Sequence, residues 1–492
     1  MSSETLEDHL RRTTRNFTAR MPEDQALALG RDLARALAAA HAEEPPRHPP
    51  LEASAIAWVD GRPQLGPSTS GGDNGEDLFQ LGALLHWMAT GQRPEPSWRL
   101  DGPPEAPLSS LTRRAVLSAL ATPVRAERFA TATEAAEALT GALEAQPAGA
   151  PPWPLFRGDA SRSGGSATAG ASSLTRLWNA RLGAIAASPV VSPTLVLCPT
   201  ADGRLVFIDR ANGRRVHETR LGSAVESTPA LDGDTAHVGT DDGELVGVDT
   251  RTGEPRYRLK LGQLVRSSPL PADGRVFVGV VDGKTGALVA TDGAGKVVWT
   301  RKLGAVFSSP ALAGDLVLIG SDDGSLHAVD RAKGAIAWSC AVGGKVRATP
   351  AVTGDRAVVG GFDGRVVAIG IKDGQPLWTR DLGHALYSSP CITGDLCVMG
   401  CHEGHLHGLD LATGAPRFEA ATRGPVISSP SAAGGTFLAG STDGDLYLLD
   451  ATGRVLGHAT LSHRGVPSSP ALDGDRVYVG SGDGLHALAL AR

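Results

Sequence analysis

Five side chains within eleven residues, Cys397, Cys401, His402, His405 and His407, are of the types that bind zinc. Zinc takes four nitrogen or sulfur ligands in a tetrahedron, so four of the five would suffice. A second candidate chemistry is acidic. Asp202, Asp242, Asp282, Asp323, Asp363, Glu403, Asp443 and Asp483 each precede a glycine, and a ring of carboxylates could hold calcium, which needs several oxygen ligands. A third group is mixed. Glu226, Arg266, Phe307, Arg347 and Tyr387 stand at regular intervals, in series with Ala186, Ile427 and Pro467. Arginine and tyrosine join large contact area to hydrogen bonding and are enriched where proteins grip each other. The elements that carry these residues decide among the three.

Those elements repeat. A Ser/Thr-Pro pair recurs with its proline at Pro189, Pro229, Pro269, Pro310, Pro350, Pro390, Pro430 and Pro470, a step of 40 residues with one of 41. The acidic-Gly pairs recur in parallel. In one unit, residues 307–312, 316–320, 325–330 and 335–342 predict four short strands. Ser321-Asp322-Asp323-Gly324 predicts a tight turn in which Asp accepts backbone N–H groups. Four antiparallel strands in about 40 residues make one propeller blade. Eight units predict an all-β eight-bladed propeller over 176–492, behind an N-terminal, mainly α-helical domain. The last unit has only three strands before Arg492. Residues 176–183 repeat the fourth-strand pattern and are expected to close the ring in the last blade.

The register sorts the candidates. Cys397 takes the core position of Val317 and Val477, His407 that of His327, and Cys401 that of Ser321 and Ser441. These are framework positions, so no metal site is assigned. Each acidic turn residue caps its own turn. The third group remains. It lies three residues before each proline, at the expected mouth of the channel, and varies while its frame does not. A framed position that is free to vary is where a binding surface is written.

Ala328, Asp330, Gly334 and Trp338 stand at the offsets of a tryptophan-docking repeat. Asp209/Gly213, Asp249/Gly253/Tyr257, Gly374/Trp378 and Asp410/Gly414/Phe418 follow it in full or in part. With the lead-in Trp153-Pro154-Leu155-Phe156-Arg157-Gly158-Asp159, residues 153–492 resemble the pyrroloquinoline-quinone (PQQ)-type propellers. The resemblance implies the fold. It also implies one of two functions, because the family holds quinone-dependent dehydrogenases and non-enzymatic members such as an outer-membrane assembly lipoprotein. The enzymes resemble one another in an adjacent-cysteine disulfide over the quinone and a calcium site of Glu, Asn and Asp. This chain has no Cys-Cys pair, and no such trio is placed. No cofactor, metal or catalytic residue is therefore expected.

Residues 1–150 hold 20 Asp/Glu against 14 Arg and no Lys. Apolar residues fall at helical spacing over 24–41, 77–90, 108–121 and 131–143, with an irregular Pro-rich stretch over 45–72. Domain boundaries are expected at 1–146, with 147–175 as linker and lead-in. The run Asp77-Leu78-Phe79-Gln80-Leu81-Gly82, with Thr90-Gly91-Gln92-Arg93-Pro94, resembles a helix of Ser/Thr protein kinase C-lobes, and the likeness spans about 4–143. It implies a degenerate, truncated pseudokinase-like remnant. Phosphoryl transfer needs a lysine, a base and metal ligands. There is no lysine, Ala55 stands where the resemblance puts the loop Asn, and Gly66-Pro67-Ser68 stands where it puts Asp-Phe-Gly.

The whole chain of 492 residues has net charge −6, which excludes a strongly basic nucleic-acid binder. Five Cys do not make a disulfide framework. No apolar run reaches the roughly 18 residues of a membrane span. A cytoplasmic, non-catalytic interaction, scaffold or regulatory protein is expected, binding another protein through Glu226, Arg266, Phe307, Arg347 and Tyr387. The acidic turns favour a basic segment of that partner. A PQQ-dependent oxidoreductase, and an accessory or inhibitor subunit of a signalling enzyme such as a kinase, are the alternatives.

Overall fold

Among the described residues, helical spacing in the first part of the chain produces the helices α1 (Glu23–His41), α2 (Asn74–Thr90) and α3 (Ala132–Glu144) in the computed structural model. The structure describes residues 4–5, 23–41, 56–59, 62–65, 74–90, 116, 119–120, 129–144 and 153–491. They divide into two compact units, Met1–Ala148 and Gly149–Arg492. In the first unit, Leu33 and Leu37 of α1, Leu78, Leu81 and Leu85 of α2, and Ala135 and Leu139 of α3 share one buried core. Gly30 sets how close α1 and α2 come, since a Cβ there would sit 2.3 Å from Leu85. At the start of α3, Thr131 accepts the Glu134 N–H (3.1 Å) and the Glu134 side chain accepts the Ala130 N–H (2.8 Å). Thr131 is thus the N-cap, and Glu134 reaches back one residue beyond it, a variant of the capping box.

The stretch expected to be irregular contains strands Ile56–Val59 and Arg62–Leu65, and Glu4–Thr5 adds to them as a three-stranded sheet. The reason is local. The strands pair with Val59 opposite Arg62, and the sequence between them, Asp-Gly, is a hairpin signal that the surrounding prolines obscured. Of the helix expected over 108–121, only residues 116, 119 and 120 are described, and they are helical. Ala55 and residues 66–68, which carried the argument against kinase chemistry, lie outside the described residues. No described helix is long and apolar enough to cross a membrane.

The second unit is an eight-bladed all-β propeller. Its blades span 190–220, 230–260, 270–304, 311–341, 351–381, 391–421, 431–460 and 471–491, and each is built of four antiparallel strands that run in sequence order from the channel outward except in blade 8, while Gly165–Ala169 adds a fifth, parallel strand to the inner edge of blade 7. The fourth strand of blade 8 is Ser173–Arg181, paired antiparallel to Gly484–Ala491 with Trp178 opposite Ala487. Second and third strands are buried on both faces, while fourth strands alternate toward solvent. Neighbouring blades share apolar layers, as where Phe277 and Leu288 of blade 3 meet Val317 and Ile319 of blade 4.

Aromatic residues of fourth strands lock blades together. Trp338 of blade 5's predecessor donates its indole N–H to the Ile371 carbonyl (2.8 Å) and packs on Gly374. Gly374 has φ +71°, and a Cβ there would lie 2.6 Å from the indole, so this turn requires glycine twice over. Trp178 packs on Gly213, so the ring-on-glycine contact also joins blade 8 to blade 1, without the indole bond.

Candidate functional site at the channel mouth

The Ser/Thr before each marker proline makes a belt. Its hydroxyl accepts the backbone N–H of the equivalent residue one blade earlier: Ser188 to Thr228, then Ser268, Ser309, Thr349, Ser389, Ser429 and Ser469, and from Ser469 back to Ser188. All eight bonds measure 2.9–3.1 Å. A Ser/Thr hydroxyl rotates to accept and donate, which is why the repeat keeps these two residue types here. The belt is the waist of the channel.

On one side of the belt the channel is plugged. The segment from Trp153 to Gly164, expected only as a lead-in, winds across it and touches the blades in turn. Trp153 bridges to Val191 of blade 1, and Pro154 accepts from Leu231 of blade 2 (2.8 Å). Leu155 packs on Leu270 and Phe277 of blade 3. Ala160, Ser161, Ser163 and Gly164 accept from Leu312, Val352, Ile392 and Ala432 of blades 4 to 7 at 2.7–2.9 Å. Two arginines, both fully buried, fasten the plug. Arg162 donates to the carbonyls of Phe156 (2.6 Å), Pro269 (2.9 Å) and Pro310 (3.0 Å). Arg157 donates to those of Pro390 (2.6 Å) and Pro430. The marker prolines thus supply acceptors for the plug. Burial pushes the Arg162 guanidinium down to about 9, which still leaves it charged at neutral pH. Both arginines have positive φ, 67° and 58°, an uncommon conformation for a non-glycine residue that the surrounding bonds enforce.

On the other side of the belt lie the residues three before each proline. Here the fourth-to-first connections bond to the second-to-third turns, as Asp241 N–H to Ala224, Asp322 N–H to Ala305 and Phe362 N–H to Lys345 (2.9 Å each). This mouth carries two repeating rings: the expected one, and the residue before each acidic turn residue, Ala201, Asp241, Val281, Asp322, Phe362, His402, Thr442 and Gly482. The rings interlock across blades 2 to 6. Arg266 donates from Nε and Nη2 to the Asp241 carboxylate (3.0 and 2.7 Å), and its Nη1 lies 2.9 Å from Glu226. Arg347 donates from Nε and Nη2 to Asp322 (2.9 and 2.7 Å). Its guanidinium stacks 3.9 Å from the Phe307 ring centre and 5.3 Å from that of Phe362. The Phe362 and Tyr387 rings lie 4.2 Å apart, with His402 5.6 Å beyond. Tyr387 remains 45% exposed. The hydrogen bond to Asp241 raises the Arg266 pKa and that to Asp322 raises the Arg347 pKa, while burial pushes the Glu226 carboxyl up. Blades 7, 8 and 1 contribute only Ile427, Thr442, Pro467, Gly482, Ala186 and Ala201 to these rings.

A sequence profile described as "Beta-alanine-activating enzyme, beta-propeller" matches residues 184–490. The chain belongs to this family. No curated protein matches the chain. Among solved structures, BamB from Moraxella catarrhalis is 19% identical with a TM-score of 0.56, over 64% of this chain and 99% of that one. The quinohemoprotein alcohol dehydrogenase from Comamonas testosteroni is 13% identical with a TM-score of 0.62, over 71% and 82%. A europium-containing methanol dehydrogenase is 14% identical with a TM-score of 0.62, over 70% and 99%. At these identities the likeness is one of fold. The family match begins at residue 184 and lends no support to a kinase-like first unit.

In this beta-alanine-activating-enzyme-type propeller the residues do not fit a metal–quinone centre. Its two asparagines, Asn179 and Asn212, lie in the outermost strand of blade 8 and in the turn before the outermost strand of blade 1. Glu226 and Asp241 are both held by Arg266. Among the described residues no group of three or more His, Cys, Asp or Glu is placed to hold a metal. The Cys and His cluster disperses. Cys397 and Cys401 are buried in the blade core, His402 stands at the mouth, and His405 and His407 approach Glu419 on the outer strand (3.6 and 3.8 Å). The acidic turns spend their oxygens locally: Asp202 on Thr200 and Arg204, Asp323 on His327, Asp443 on Tyr447 and Asp483 on Ser462. Sequence reasoning placed one mouth ring and missed the other. The missed signal was the same one, a variable residue in a constant frame.

Proposed function

We propose that this chain is a non-catalytic binding protein that holds a segment of another protein at the mouth of its propeller. The observation that carries the reading is the two-sidedness of the mouth. Charged and aromatic side chains are pre-organised over blades 2 to 6, and the two rings carry only uncharged, non-aromatic residues over blades 7, 8 and 1. A partner lies against the first arc and is given room by the second. Because the plug occupies the far end, a bound segment enters and leaves by the mouth.

Fold likeness to the two dehydrogenases favours a second reading, an oxidoreductase with a quinone in the channel. A new absorbance on adding quinone and Ca²⁺ to the full chain would support it, but the donor set weighs the other way. A cytoplasmic setting, which rests on the composition of the sequence, and an accessory role beside a kinase, which rests on the resemblance of the first unit, are narrower readings.

The test is site-specific photo-crosslinking in the native cell. A benzophenone side chain replaces Tyr387 in one variant and Thr252, in a turn of the opposite face, in another. One protein crosslinked from position 387 and absent from position 252 is expected. The same set from both positions, or none from 387, overturns the reading.

A further inference from the structure

The repeat allows the mouth to be compared with itself. Blades 2 and 3 form one module, Glu226, Asp241 and Arg266. Blades 4 and 5 form the same module two blades on, Phe307, Asp322 and Arg347. In both, arginine Nε and Nη2 grip the aspartate of the preceding blade's turn with near-identical distances. They differ at one residue. Glu226 gives Arg266 Nη1 a second carboxylate at 2.9 Å. Phe307 stands where that carboxylate would be, and Arg347 Nη1 meets no acceptor among the described residues.

The surroundings of the second module suit an incoming anion. Two cations, Arg347 and Lys345, face the single carboxylate of Asp322, with Lys345 Nζ 3.7 Å from it. In the first module two carboxylates face one arginine. On the next blade the Tyr387 hydroxyl also has no partner among the described residues, although its ring is held against Phe362. Ring faces on both sides cover part of the arginine, which is about one-third exposed, and a charge-assisted bond made there is stronger than a neutral one.

We propose that Arg347 and Tyr387 receive the carboxylate of an Asp or Glu side chain on an extended segment of the partner protein. The incoming acid supplies to Arg347 what Glu226 supplies internally to Arg266. Phe307 and Phe362 contact an apolar residue beside it. The inference rests on the proposed binding at the mouth, and it reverses the sign of the partner charge that the acidic turns suggested, because most of those carboxylates are engaged by neighbouring groups.

The full chain is panned against displayed random peptides, and retained peptides are measured on the parent, Arg347→Gln, Tyr387→Phe and Phe307→Glu. Phe307→Glu rebuilds the Glu226 arrangement and fills the site from within. Retained peptides are expected to share an acidic residue next to an apolar one. Changing that acid to its amide should weaken binding to the parent about tenfold and change nothing on Arg347→Gln. Phe307→Glu should lose the peptides at an unchanged melting temperature. An amide change that costs the same on the parent and on Arg347→Gln, or retained peptides without acids that Tyr387→Phe or Phe307→Glu still displaces, overturns the carboxylate site and leaves mouth binding standing. Peptides that bind all four proteins equally, or no retained peptide, overturn both.

Discussion

The channel ends in arginines at both sides, and the two pairs are used in opposite ways. Arg157 and Arg162 are fully buried, bond to backbone carbonyl oxygens, and burial lowers their pKa values. Arg266 and Arg347 are about one-third exposed, bond to carboxylates, and those bonds raise theirs. A guanidinium buried among carbonyls cannot leave without stranding every acceptor it served, so the plug pair holds structure. An exposed guanidinium beside a carboxylate costs the fold little when lost, so the mouth pair is available for binding. The Ser/Thr belt separates the two regimes.

The largest way to break this contrast is to remove the plug and the closing strand together. A chain beginning at residue 184 lacks Ser173–Arg181, which leaves blade 8 with three strands and Gly484–Ala491 as an open edge. It also lacks every carbonyl that caps blades 4 to 7. Insoluble protein is expected. A chain beginning at Trp153 keeps both elements and is expected to melt cooperatively, as circular dichroism would show. A soluble, cooperative 184–492 fragment would mean that the plug is an ornament.

A single plug arginine comes next. Arg162→Met strands the Phe156, Pro269 and Pro310 carbonyls in a dry site, a loss of about 4 kcal/mol. Arg157→Met should cost less, because the Arg157 Nε already lacks a partner while Arg162 has none unpaired among the described residues. Denaturant midpoints of the two variants check the order, and equal losses would contradict it.

The belt gives a smaller effect. Ser389→Ala removes the acceptor of the Thr349 N–H and leaves a buried donor unpaired, a cost of about 1 to 2 kcal/mol. Equal stability of this variant and the parent in urea would show that the belt is not under load. The belt also shows what was legible beforehand. Two markers at a step of 40 residues fixed the blades, because a repeat of one supersecondary unit displays its period in any sequence. The ring closure was legible too, since 176–183 copies the fourth-strand pattern of the seven other blades. The plug was not. Arg157 and Arg162 sit among Gly, Ser and Asp, a composition that reads as surface, and their acceptors are backbone carbonyls, which carry no sequence signal. The mouth was half legible. Arg266 and Arg347 were found from a framed variable position, but Asp241 and Asp322 were hidden by the Asp that follows each in the same turn.

The smallest effect on the fold sharpens the contrast most. Arg347→Gln ends the bidentate bond to Asp322 and thins the stack on Phe307. Both lie at the open mouth, where an exposed ion pair is worth about 0–1 kcal/mol. Asp322 keeps Lys345 at 3.7 Å and its own turn, so no buried charge is stranded. The denaturant midpoint should therefore stay within about 1 kcal/mol of the parent, against about 4 for Arg162→Met. The same variant should lose the partner crosslinked from position 387. Binding and stability would then separate along one channel, the arginines of one end answering to the partner and those of the other to the fold. If Arg347→Gln instead destabilises as much as Arg162→Met, the mouth pair is a second structural clamp, and the binding surface must be sought elsewhere on the propeller.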